Sequence, residues 1–97
     1  MAQPSIALKM HRDRVLEIAR AHGVRNVRVF GSVAHGADRE GSDIDLLVDV
    51  EEGVTLFTLA GLEQALVELL GIRVDVRTPA EISHYIRDRV LAEARAL

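Results

Sequence analysis

The stretch V29-FGSVAHGADREGSDIDLLVD-V50 decides how this chain reads. Apolar strand residues run into a glycine-serine turn. An acidic loop follows, then a second apolar strand with Asp43 and Asp45 set into its start. Strand side chains alternate between faces, so Ile44, Leu46, Val48 and Val50 share one face and Asp43, Asp45, Leu47 and Asp49 the other. Two carboxylates therefore point the same way at the edge of the most apolar segment.

Outward from that stretch, helical and strand spacing alternate. Ser5 is placed to cap a helix reaching about His22, with Ile6, Met10, Leu16, Ile18 and Ala19 on its apolar stripe and Gly23 as its stop. "NVRVFGS" alternates as a half-buried strand. A short turn or helix separates it from "SDIDLLVDV". Leu56–Leu70 returns to helical spacing, with Leu59, Leu62, Leu66, Leu69 and Leu70 inward and Gly71 as its end. "IRVDVR" forms a third strand, with Ile72, Val74 and Val76 on one face and Asp75 on the other. "TPAE" carries a complete helix start, with Thr78 as cap, Pro79 first and Glu81 closing the box. A last helix follows through Ile82, Tyr85, Ile86, Val90 and Leu91, its apolar stripe assigned mainly to packing. The expected architecture is α+β, in the order α-β-α-β-α-β-α. It is a small mixed β-sheet of three or more strands packed with helices.

Ninety-seven residues suit one domain, 1–97. Apolar residues make up 48% of the chain, enough for a core, and the core must be aliphatic because Phe30, Phe57 and Tyr85 are the only aromatics. The absence of cysteine removes disulfides, thiolate metal sites and cysteine nucleophiles. The charged N-terminus contains no signal-type apolar core and no span, so a soluble cytoplasmic protein without membrane contact is expected. Net charge is −3, but it is segregated. Seven acidic residues against Arg39 lie between Asp38 and Glu52, and six basic residues against Asp13 and Glu17 lie between Lys9 and Arg28. That pattern gives no overall basic face, and direct nucleic-acid binding is not expected. It fits two solvated faces, or an acidic centre that needs cations to hold an anionic ligand.

If the second and third strands are neighbours, Asp43, Asp45 and Asp75 converge. Clustered carboxylates repel and lose hydration, so something cationic must offset them. Arginine partners are one answer: Asp43 in a turn, Asp45 on an arginine, Asp75 on Arg73 or Arg77. Divalent metal is the other, and oxygen ligands suit Mg²⁺ or Mn²⁺ better than zinc. The turn Gly31–Gly36 follows a strand directly. Gly31 lets backbone approach a ligand, Ser32 adds a hydroxyl, and the following amides are placed to open a helix whose N-terminus favours phosphate. The same turn also serves as an ordinary strand connection. It is not a Walker loop, because Ala37 and Asp38 follow Gly36 where lysine would stand. Nor is there a calcium loop: counting from Asp43, the required glycine position holds Val48.

Gly31-Ser32, Gly36, Ser42-Asp43-Ile44-Asp45 and Asp75 on a later strand together resemble the DNA polymerase β-like nucleotidyltransferase superfamily. Nearly the whole chain is similar to its minimal nucleotidyltransferases (MNT). His35 departs from the pattern, where these proteins often carry arginine. The resemblance implies that Asp43 and Asp45 hold two Mg²⁺ ions, about 3.5–4 Å apart as in two-metal sites generally. Asp75 would complete the second site and orient or deprotonate an acceptor hydroxyl. Gly31 and Ser32 would hold the β- and γ-phosphates of ATP. MNT proteins typically pair with a small helical HEPN-domain protein as antitoxins. The implied reaction is AMP transfer to a tyrosine of that partner ribonuclease, in a heteromeric complex. The alternatives are a non-catalytic antitoxin that acts by occlusion, and a transferase acting on a small molecule. The repelling carboxylates argue against the first, and the lack of a second domain against the other.

Four other features carry less. The Arg28-x6-His35 spacing seen in HEPN nucleases falls here on strand and turn and is read as chance. Asp49 is read as supporting or solvated, Tyr85 as packing, and His11, His22 and His84 as surface residues.

Overall fold

A computed structural model describes residues 3–97. Helices α1 (Pro4–Met10) and α2 (Arg12–Ala21) precede β1 (Val24–Phe30) and β2 (Ile44–Val50). Helix α3 (Leu56–Leu70), β3 (Val74–Arg77), a 3₁₀ turn (Pro79–Glu81), α4 (His84–Glu93) and β4 (Arg95–Ala96) complete the chain. The four strands form one mixed sheet in the order β3-β2-β1-β4. β2 is antiparallel to β1 and parallel to β3. This is the α+β architecture that the alternating periods predict.

One sheet face carries the main core. Val27, Val29, Ile44, Leu46, Val48, Val74 and Val76 meet Leu8, Val15 and Ala19 from the first two helices and Leu59, Leu62 and Leu66 from α3. Helix α3 starts on a reciprocal Thr55–Thr58 box and stops at Gly71, whose φ of 67° is the left-handed end the glycine was expected to supply. Its Glu63 accepts the Val76 N–H at 2.7 Å. That bond ties α3 to the outer strand and occupies a donor that would otherwise be open to a foreign strand.

The N-terminal helix differs from expectation. It is two helices, broken at His11 (φ −112°, ψ 17°), and the first begins at Pro4 with Gln3 rather than Ser5 as cap residue. Ser5 instead donates its backbone N–H to Asp38 Oδ2 at 2.8 Å. The break turns the apolar stripe: Ala7 and Leu8 are buried, while Ile6 and Met10, expected inside, are exposed.

The C-terminal segment differs too. Thr78 and Glu81 do form the expected box, but it closes only a 3₁₀ turn, because the chain becomes extended at Ile82. Ile82 is buried. Ser83 then caps a separate helix. None of that helix's residues is buried, and Tyr85, read as packing, is 86% exposed. After it, β4 pairs with Arg28 and Val29 of β1, a short edge strand that local sequence did not announce. Among the described residues, no helix is long and apolar enough to cross a membrane.

Candidate active site

The parallel register of β2 and β3 sets Asp45 directly beside Asp75. Asp43 lies just before β2 and two residues from Asp45, so the pleat returns both carboxylates to the same side. On the other flank of β2, the antiparallel register sets Phe30 opposite Asp45. The next residue, Gly31, is therefore brought against that carboxylate. A Cβ built on Gly31 would stand 2.6 Å from Asp45 Oδ2, and its φ is +69°. Both facts restrict the position to glycine. The glycine-serine turn and the aspartates thus meet at one end of the sheet.

The turn is a tight coil rather than the opening of a helix. The His35 N–H donates to the Gly31 carbonyl, and the Ala37 N–H donates to the Ser32 carbonyl at 2.9 Å. The chain then leaves in an irregular loop instead of propagating. Ser32 is half-buried at the start of this coil, one residue beyond the Asp45 contact.

Burial pushes the Asp45 carboxyl above the usual carboxylate range, the Asp75 and Asp43 charges push it further, and Arg77 offsets part of the rise. The sequence left open whether arginines neutralise the cluster. They do so incompletely. Arg73 reaches Asp43 only at 3.9 Å, with its side chain 75% exposed, and Arg77 does not prevent the rise at Asp45. The arrangement favours an added cation.

Its donor set is carboxylate oxygen, the chemistry of Mg²⁺ and Mn²⁺. Among the described residues, no three carboxylate or histidine side chains are already gathered into a ready-made metal cage. Mg²⁺ is commonly held by one or two carboxylates while substrate phosphates and water complete the shell.

The remaining polar residues have other partners. Asp49 accepts from Arg28 at 3.0 Å and from Asn26 at 2.9 Å. Asn26 has φ 52°, at the register shift of β1, so this cluster fastens the bulge rather than the site. His35 faces Glu93 at 3.1 Å, apart from Arg28, so the Arg-x6-His spacing builds no joint site. His84 is exposed; His11 and His22 are half-buried, and the His22 ring bonds the Ile18 carbonyl at 2.8 Å.

Asp38 was not singled out by sequence. It is the only buried charged residue among those described. Beyond its bond from Ser5, its carbonyl accepts from Gln3 Nε2 at 2.7 Å. The loop leaving the glycine-serine turn is thereby pinned to the start of α1. A carboxylate that caps a helix from a distant loop leaves no spacing signal near that helix.

Comparison with known proteins agrees with this geometry. The sequence profile of the nucleotidyltransferase domain family matches residues 8–97. The chain is 42% identical over 77 residues to the protein adenylyltransferase MntA of Thermococcus cleftensis, covering 79% of this chain and 78% of that one. A solved structure provisionally named a minimal nucleotidyltransferase is 47% identical and superposes with a TM-score of 0.85, over 96% of this chain and 95% of that chain. A chain from the complex of tri-AMPylated Shewanella oneidensis HEPN toxin with MNT antitoxin shares the fold at 18% identity. Its TM-score is 0.68, over 91% of this chain and 69% of that one.

Proposed function

The chain belongs to the nucleotidyltransferase domain family, and from that premise we propose that it moves AMP from ATP onto a tyrosine hydroxyl of a helical HEPN-type partner. The observation that carries this reading is the junction of Gly31 with Asp45, and of Asp45 with Asp75. The close approach of the Gly31 backbone to Asp45, with Asp75 beside it, supports reading the turn as a phosphate seat next to a metal-binding carboxylate pair.

In this reading Gly31 and Ser32 receive the β- and γ-phosphates. Asp43 and Asp45 would hold Mg²⁺, and Asp75 would complete the second position. The bound ions would neutralise the triphosphate and lower the cost of forming the nucleophile. Asp75 orients the acceptor hydroxyl and accepts its proton. The hydroxyl oxygen bonds to the α-phosphorus, the bond from that phosphorus to the β-bridging oxygen breaks, and pyrophosphate leaves with the electron pair. Positioning and charge placement supply most of the acceleration. The relatives named for protein adenylylation and the HEPN–MNT complex support AMP and a HEPN acceptor. A protein partner also gives a role to Phe57, Tyr85, Ile86 and Leu91, large apolar side chains left in water.

The test is incubation of the purified chain with α-labelled ATP, Mg²⁺ and the product of the adjacent gene as candidate HEPN-type partner. Label is expected on a partner tyrosine and is expected to vanish when EDTA is added. Full neutralisation of the partner with no label would instead establish occlusion.

A further inference from the structure

We propose that the cleft between Ser42 and Arg73 is the seat of the acceptor's aromatic ring. This rests on the transferase reading above and names where the second substrate sits. The cleft has a volume of about 400 Å³ and opens beside Asp43, at the ends of β2 and β3 that carry the aspartates. Leu70 and Ile72, both half-buried, give it an aliphatic wall, and Ser42, Asp43 and Arg73 give it a polar rim.

The sheet order fixes its side. β2 lies between β1 and β3. Gly31 closes on Asp45 from the β1 flank. Arg73 lies on the β3 flank, where its carbonyl accepts the Ile44 N–H at 2.9 Å. Of the three aspartates, Asp43 borders the cleft, while Asp45 lies next to the turn and Asp75 on β3. In-line displacement at phosphorus needs the attacking oxygen opposite the leaving pyrophosphate. With pyrophosphate over the turn, the attacking oxygen must arrive from the β3 flank, where the cleft is.

The lining selects the acceptor's chemistry. A serine or threonine side chain would leave most of the volume empty, whereas a phenol ring covers the Leu70–Ile72 wall. Arg73 is exposed and loosely held at 3.9 Å from Asp43. Its planar cation is free to lie over the ring face or beside the oxygen as negative charge develops there. A metal ion on Asp43 would also release Arg73 for that use.

The test uses the full chain with methyl-labelled Leu70 and Ile72, Mg²⁺ and a non-hydrolysable ATP analogue, titrated with N-acetyl-tyrosinamide. Both methyl signals should shift saturably with the tyrosine probe and stay still with N-acetyl-serinamide. Ser42→Trp should abolish the shift by plugging the mouth, and Arg73→Met should weaken probe binding about fivefold or more. In the transfer assay, Arg73→Met should raise KM for the acceptor about tenfold without raising KM for ATP. Either of two results overturns the proposal: no shift with the tyrosine probe, or an ATP analogue that alone shifts both methyls and shuts the probe out. The second would make the cleft the adenine seat. Because the titration needs no turnover, a failed cleft leaves the transferase reading intact. Saturable probe binding without any AMP transfer would sink the transferase reading instead.

Discussion

Asp38 and Asp45 lie on opposite sides of one acidic loop, both withdrawn from water, and their environments treat them in opposite ways. Around Asp38, burial acts to raise the carboxyl pKa, but the bonds from Ser5, the loop's own backbone and Gln3 outweigh it, and the net shift is downward. Around Asp45, burial also raises it, and the neighbours are Asp75 and Asp43, which raise it again. The first region gives its carboxylate a donor at Oδ2, while Oδ1 is buried without a partner. The second gathers like charges that Arg77 offsets only in part. The two carboxylates differ in their partners as well as in their burial, for Asp38 is buried and Asp45 half-buried.

The largest effect should come from removing the unsatisfied charge. Asp45→Asn should cut AMP transfer by roughly 10²–10³-fold or more, measured as label on the acceptor at saturating ATP. The metal-free fold should respond in the opposite direction. A raised folded-state pKa contributes stability that is complete below the unfolded value and is lost as pH rises through the folded value. At neutral pH without metal, Asp45 therefore works against folding, and Asp45→Asn should melt higher than wild type. That advantage should shrink as pH falls through the raised folded value and be gone below the unfolded one, about 3.9. A variant that melts lower at pH 7 in EDTA would show that Asp45 is satisfied after all.

Gly31→Ala tests the junction itself. The methyl would meet Asp45 Oδ2 and also sit at positive φ. The left-handed conformation alone should cost about 1–2 kcal/mol. Displacing Asp45 by even an ångström should lower transfer by roughly 10²-fold. If activity survives while stability falls, the turn is only a strand connection.

Asp38→Ala attacks the first region. It leaves the Ser5 N–H without its acceptor, and about 1–3 kcal/mol of stability should be lost. For a chain of this size that is a drop of about 4–8 °C in Tm per kcal/mol. The pH signature also inverts: a depressed folded pKa gives stability present above the unfolded value, about 3.9, and lost as pH falls through the folded one. Wild type and Asp38→Ala should therefore converge in strong acid.

The same contrast explains what sequence could and could not disclose. Asp43, Asp45, Asp75 and Gly31 are legible because strand alternation fixes their faces and one register assumption joins them. The junction needed only β2 to lie beside both β1 and β3. Asp38 was invisible because its partner is far along the chain, and nothing in "GADRE" marks a helix cap. The break at His11 has no proline or glycine to announce it. β4 exists because the outer edge of β1 offers partners such as the Val27 carbonyl, which accepts the Leu97 N–H at 3.0 Å. Arg95 and Ala96 themselves show no strand pattern. The Thr78 box was read correctly as a start, but the anchoring of Ile82 in an extended, buried conformation stopped it after one turn. That event is tertiary and leaves no local mark.

The smallest effect concerns Tyr85, where sequence and structure disagree most. An apolar residue at helical spacing was read as packing, yet the ring stands in water beside His84, with ring centroids 4.0 Å apart. Tyr85→Ala in the isolated chain should therefore change stability by less than about 0.5 kcal/mol, whereas a buried Leu62→Ala should cost about 2–5 kcal/mol. Helix α4 buries none of its own residues, so little of its position is secured by core contacts. If Tyr85→Ala is neutral alone but weakens the complex with the HEPN-type acceptor, the ring belongs to the partner interface. The spacing that suggested a core would then have been a true apolar stripe whose other half is carried by a second protein.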